Sequence, residues 1–426
     1  MPRPVLLLLA LCCTVAAGPT IQVTGDARVK RVLDSSKFTE AVAAIDRQHD
    51  RLVSENIHLT EIPAPPFEEA ARGRAFEALL RQTGLTNIET DPAGNVMGLR
   101  KGTGGGPLLA VAAHLDTVFP AGTDVTVKRQ GTTLSAPGIG DDTRSLAVLL
   151  AIVRAMDAAR IQTASDILFV GDVGEEGQGD LRGMRYLFGK GAYKDRIKTF
   201  ISIDGTGPGS DITNGGIGSK RYRVTFRGPG GHSYSAFGLV SPALAMGNAI
   251  EQFSKISVPA SPKTTFNVGV MGGGTSVNSI PFEAWMEIDM RSESPTELAK
   301  LDKAAATAMQ QAADGENRAR STAQGKITVE MKLIGDRPSG ETPKDSALVQ
   351  TAMTVVRLLD MSPRLNASNT DSNIPMSLGI PAITLDSGAR GGRAHALDEW
   401  IDIEKTGSMA GIRSLFAIIL ATAGLN

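Results

Sequence analysis

Apolar residues recur at helical spacing from about 37 to 57 and again from Phe67 to Leu80, which predicts two helices separated by Pro63, Pro65 and Pro66. Short apolar runs then alternate with helical ones. "NVMGLR" and "LLAVAAHLD" predict strands, 144–159 a helix, "DILFVGD" a strand, 181–188 a short helix and "TFISID" a strand. Such alternation predicts a three-layer αβα domain built on a mostly parallel sheet.

After about Ile217 the pattern changes. "KRYRVTFRG" alternates like a half-exposed strand, 242–253 reads as a helix, "TTFNVGVMGG" and "AWMEIDMRS" as a strand pair, and "PTELAKLDKAAATAMQQAADG" as a second helix. "KITVEMKLIG" completes the order β-α-β-β-α-β, that of a ferredoxin-like two-layer sandwich. Past Pro338 the first pattern resumes, with a helix over 345–359, the strand "PAITLD" and a closing helix over 402–423. The expected organisation is therefore a discontinuous main domain, 30–215 and 338–426, interrupted by an inserted domain, 216–337.

Composition agrees with two ordered domains: 426 residues exceed what one core organises, and 42% are hydrophobic. Lys and Arg number 44 against 45 Asp and Glu, with no long run of one sign, so neither nucleic acid nor an anionic membrane surface is an expected partner. The opening stretch "MPRPVLLLLALCCTVAAG" combines Arg3, an apolar run too short to span a bilayer, and Val15 and Ala17 placed for cleavage. It reads as a signal peptide, residues 1–17, and predicts a secreted or periplasmic protein. Cys12 and Cys13 are the only cysteines and fall inside it, so the mature chain would hold no disulfide, thiolate nucleophile or cysteine ligand. In Leu9-Ala10-Leu11 a bulky Leu11 stands where a lipidation signal at Cys12 would want a small residue, which disfavours an anchor there.

The chemistry gathers where predicted strands end. His114 and Asp116 are two positions apart and project to the same side of an extended chain, an arrangement in which a carboxylate can orient an imidazole. In "GIGDDTRSLA" a helix N-cap needs one acid, yet Asp141 and Asp142 are adjacent. Glu175 and Glu176 in "GEEGQG" would repel unless a cation neutralised them. "ISID" ends in Asp204, and His395 lies in a Gly-rich loop near the C-terminus. Taken singly these are a strand-end histidine, a cap, a solvated turn and a turn aspartate. Taken together they fall on one edge of one sheet, where open α/β sheets place their sites. Mixed imidazole and carboxylate donors suit zinc, with cobalt or manganese as alternatives, and paired ions ~3.5–4 Å apart activate water.

In this order the motifs resemble those of the M20-type dinuclear zinc peptidases and amidohydrolases, which include peptidase T-like, carboxypeptidase G2-like and aminoacylase-like enzymes. "HLDTV", "GIGDDTRSLA", "GEEGQG", "SIDG" and "GGRAHALDEW" carry the resemblance. It implies two Zn2+ per subunit, one held by His114, Asp141 and Asp204, the other by Asp141, Glu176 and His395. It further implies Asp116 as the partner that orients His114, and Glu175 as general base. "GPGGHSYSAFG" is similar to a lid motif whose histidine, here His232, stabilises the oxyanion, often in the partner subunit's site. "GGGTSVNSIP" and "EIDMRS" resemble substrate-contact segments, implying Asn278 and Arg291. Thr143 and Arg144 stand where the family usually places a lysine or similar residue, so the subclass stays open. The expected protein is a homodimeric dizinc exopeptidase acting on short peptides, aminopeptidase- or dipeptidase-like. The alternatives are a glutamate-type carboxypeptidase, an N-acyl amino acid deacylase, or a peptide-binding relative without catalysis. A free substrate amine would call for an anion in the pocket, and a free carboxylate for Arg291.

Overall fold

The strand Leu108–His114 is buried along its whole length. Leu109, Val111 and Ala113 enter one apolar cluster while Leu108, Ala110 and Ala112 enter another. Side chains that alternate between two cores make every position apolar, which is why the run shows no polar face. This computed structural model describes residues 25–426 apart from Gly105. The expected signal peptide, with Cys12 and Cys13, lies outside the described residues.

Four strands, Ile167–Asp172, Leu108–His114, Ile197–Ile203 and Ala382–Leu385, lie side by side and parallel. Antiparallel strands extend the sheet at both edges: Val96–Arg100 and Thr86–Thr90 on one side, Asp211–Gly216 on the other. One face is covered by the N-terminal helices, by Thr143–Ala158 and by the C-terminal helices, all sharing one core. Arg182–Gly189 and Asn373–Ser377 cover the opposite face. The three-layer αβα architecture follows. The closing helix, Lys405–Ala423, is long and apolar enough to cross a membrane, yet its apolar side chains pack into the main core.

The inserted segment forms a separate antiparallel sheet in the order Thr264–Gly273, Glu283–Ser292, Gly218–Arg227, Thr328–Arg337. Glu283–Ser292 alternates half-buried and buried positions, as its polar and apolar residues do. The buried set meets the helices Pro242–Ser254 and Pro295–Ala319 in a core of its own, centred on Phe226, Phe253, Met286 and Met309.

The structure departs from the expected elements in three places. The run 37–57 divides at Gln48 into Ser36–Arg47 and His49–Thr60. The edge strand Thr86–Thr90 is largely exposed, so no apolar pattern announced it. A small sheet of three-residue strands, Lys128–Gln130, Thr133–Ser135, Arg390–Gly392 and Trp400–Asp402, joins distant segments and is too short to show a period.

Candidate metal centre

Because parallel strands end at the same edge, the loops that follow them converge. His114 closes its strand, Glu175 and Glu176 follow Asp172, and Asp204 follows Ile203. The donor atoms of His114, Asp141, Asp142 and Asp204 lie within 4.8 Å of one another, as do those of Asp141, Glu176 and His395. Asp141 belongs to both sets. Its Oδ1 is 3.0 Å from His114 Nε2 and its Oδ2 is 3.1 Å from His395 Nε2. His395 Nε2 also stands 3.0 Å from Glu176 Oε1, and His114 Nε2 lies 3.9 Å from Asp204 Oδ1.

The two adjacent aspartates have different surroundings. Asp142 is fully buried and accepts hydrogen bonds from the backbone N–H of His114 at 3.0 Å and of Gly205 at 3.3 Å. Asp141 faces a cavity of about 360 Å³. Glu399 holds the loop behind it, accepting from the N–H groups of Gly138, Gly140 and Asp141 at 3.0, 2.7 and 2.8 Å.

The expected contact between the Asp116 carboxylate and His114 needs correction. His114 Nδ1 is 3.0 Å from the Asp116 main-chain carbonyl, whereas the nearer carboxylate oxygen is 3.8 Å away. The carboxylate instead accepts from the N–H groups of Glu175 at 3.0 Å and Glu176 at 2.8 Å. Two backbone donors satisfy a buried anion better than one ring edge, and through them Asp116 sets the position of both glutamates.

Charge in the cluster is tightly coupled. Burial would raise the pKa of Asp141, but hydrogen bonds from His114 and His395 outweigh it and hold the carboxyl below the usual range. Those bonds, to Asp141 and Glu176, pull His395 up to about 11. Burial, reinforced by Asp141, pushes Asp204 well above the carboxylate range. Burial likewise raises Glu175, opposed by Arg337 and assisted by Glu176. Oxygen and imidazole donors crowded in a buried site are costly unless a cation neutralises them, and with no sulfur among them this donor set fits a divalent metal.

Glu175 shares the cavity with the donors, and one of its carboxylate oxygens lies within 4.8 Å of donor atoms of His114 and Glu176. Its Oε1 accepts from Arg337 Nη1 at 3.1 Å, and Arg337 Nη2 donates to the Glu175 carbonyl. Arg291 and Arg221 line the far wall and share the Asp289 carboxylate at 2.7 and 2.8 Å. His232 and Asn278 do not line the cavity. They lie exposed at a two-stranded ladder of the inserted domain, Gly231–His232 paired with Ser279–Ile280, where His232 Nδ1 accepts from the N–H of Tyr234 at 3.2 Å. Sequence reasoning missed Arg337, Asn369 and Glu399. Of these, only Glu399 lay within a stretch that carried the chemistry, "GGRAHALDEW", four residues beyond His395.

Comparisons with known proteins match the family and the fold. Residues 110–421 match the family described as peptidase family M20/M25/M40. The uncharacterized protein YqjE of Bacillus subtilis (strain 168) is 25% identical over 386 residues, 83% of this chain and 94% of that protein. The aminopeptidase PepT of Bacillus cereus superposes with a TM-score of 0.70 at 21% identity, covering 88% of this chain and 99% of that one. YXEP of Bacillus subtilis, a dinuclear metal binding peptidase, superposes at 0.62 and 17% identity over 88% of this chain and 99% of that one. At those identities the two structures share the fold.

Proposed function

Since the chain belongs to peptidase family M20/M25/M40, and so is a hydrolase of peptide bonds, we propose that it is a dizinc exopeptidase acting on short peptides with a free carboxylate, dipeptidase-like in its preference. The observation that carries this reading is Asp141, placed between two donor sets that each contain one histidine and at least one further carboxylate.

His114, Asp141 and Asp204 would hold one ion; Asp141, Glu176 and His395 the other. Bound there, the ions would lower the pKa of water and polarise the scissile carbonyl. The protein's own groups divide the remaining work. Glu175, committed to Arg337 and not to a strand end, takes the proton of the attacking water and returns it to the leaving amine. Burial raises its affinity for that proton and Arg337 restrains the rise, which suits a group that must both accept and release. Arg291 and Arg221 carry two positive charges against the single charge of Asp289, so their wall favours one substrate carboxylate. That balance favours a dipeptide or other carboxylate-bearing amide over a substrate read only through its amine. An N-acyl amino acid carries the same carboxylate and is the second reading.

Tyr234, Phe237, Val277 and Phe282 are all more than half exposed around the short ladder that carries His232. Such a patch suits a homodimer formed through the inserted domain, with His232 and Asn278 completing the partner's site. Export through residues 1–17 remains part of the proposal, and the mass of the mature N-terminus tests it.

The decisive experiment is Glu175→Gln. Two metals should still bind, measured by elemental analysis, while turnover of dipeptides and N-acetylated amino acids falls roughly 100- to 10,000-fold. Undiminished hydrolysis would remove Glu175 from the mechanism. Hydrolysis of N-acetylated amino acids alone would select the deacylase.

A further inference from the structure

Among the described residues four arginines are almost wholly buried: Arg72, Arg144, Arg154 and Arg337. Three of them have evident partners. Arg72 donates to the carbonyls of Ile62 and Leu115, Arg154 clamps Glu55 with both terminal nitrogens, and Arg337 grips Glu175 and Asn369. Arg144 is different. Its relative exposure is 0%, and Nε, Nη1 and Nη2 all lack a hydrogen-bond partner.

No carboxylate compensates it. Burial lowers its pKa to about 10, which leaves it charged at neutral pH, and no neighbouring acid pulls that value back. His49, the first residue of the helix His49–Thr60, is close enough to Arg144 for the guanidinium to depress its pKa, second only to burial. The imidazole is therefore neutral and adds no charge, and its Nε2 is also buried without a partner. Lys405 acts on His49 from the start of the last helix, and one turn along that helix the hydroxyl of Ser408 is a further buried group without a partner. Asp46 and Asp50 act on His49 but not on Arg144, and Asp46 is already paired with Lys405 at 3.2 Å.

A guanidinium in this state lacks both acceptors and a counter-charge. Ordered water supplies acceptors only. A small monovalent anion supplies both, and a divalent one would leave an excess negative charge in an apolar interior. We propose that Arg144, with His49, forms an internal binding site for a small monovalent inorganic anion such as chloride, located where the helix Thr143–Ala158 begins beneath the junction of Ser36–Arg47 and His49–Thr60. A sphere of charge needs no preset geometry, so the fan of guanidinium N–H groups can close on it. The bound anion would tie the helix that starts beside Asp141 and Asp142 to the N-terminal layer. This inference does not depend on the hydrolytic reading.

The test uses the full chain, unfolded in urea and refolded at fixed ionic strength into potassium chloride or potassium gluconate. The wild type should melt several degrees higher in chloride, with a saturable dependence on its concentration, and Arg144→Met should melt at the same temperature in both salts. Crystals of the wild type grown in bromide should show an anomalous peak against the Arg144 guanidinium. Equal melting of the wild type in both salts, a chloride response that survives Arg144→Met, or bromide bound only at the surface would each overturn the site. The bromide experiment decides the matter even if the variant does not fold.

Discussion

At the scale of single residues, the groups that hold the site are as informative as those that face it. Glu399 accepts three backbone N–H groups around Asp141, and burial raises its pKa to about 7. A glutamine there offers one acceptor oxygen and an NH2 that cannot accept. Glu399→Gln should therefore free the loop and weaken metal binding roughly 10- to 100-fold, as loss of an outer hydrogen-bond partner does, measured by competition with a chromogenic chelator. Asp116 supports the opposite side through the N–H groups of Glu175 and Glu176. Metal loading should also release protons. Without a cation, His395 keeps its proton up to about pH 11, and burial favours the protonated form of Asp204, so ions must displace both protons. Affinity should rise with pH, and calorimetry in buffers of different ionisation enthalpy should show net proton release; a buffer-independent heat would refute the coupling.

At the scale of elements, periodicity explains what could be read in advance. The buried strands and the helix Thr143–Ala158 announced themselves because each carries an uninterrupted apolar run next to glycine, acid or histidine. Thr86–Thr90 carried no such signal because it is largely exposed, and the three-residue strands are too short to show a period, one of their pairings, Thr133–Ser135 with Trp400–Asp402, joining residues far apart in the chain. The helix Thr143–Ala158 is anchored to His49–Thr60 by a bidentate pair, Arg154 to Glu55 at 3.1 and 2.6 Å. Glu55→Ala would strand a buried guanidinium, and the expected destabilisation is roughly 3–5 kcal/mol in urea unfolding. A loss below about 1 kcal/mol would mean that the pair behaves like a surface one. Because this helix begins beside the shared aspartate, the same variant should also bind metal less tightly.

For the whole molecule, the question is whether one chain completes its own site. His232 and Asn278 lie outside the cavity of their own chain, at an exposed two-stranded ladder. If a second subunit supplies them, mixing inactive Glu175→Gln with inactive His232→Ala should restore activity. Random exchange would give about a quarter of the wild-type rate, because half the dimers are mixed and each holds one intact site. Absence of recovery after verified subunit exchange would exclude completion in trans.

The motif residues at the strand ends, the three layers and the order of the inserted domain were all legible in the chain, because each rests on local spacing and on the alternation of apolar and polar positions. That the Asp116 carboxylate serves the two glutamates, and that Glu399, Arg337 and Arg144 matter, were decided only by folding. The reason is physical. Local pattern records which side of an element meets water, whereas a hydrogen bond such as that from Gly138 to Glu399, 261 positions apart, or a charge left without a partner, exists only once the layers have closed around it.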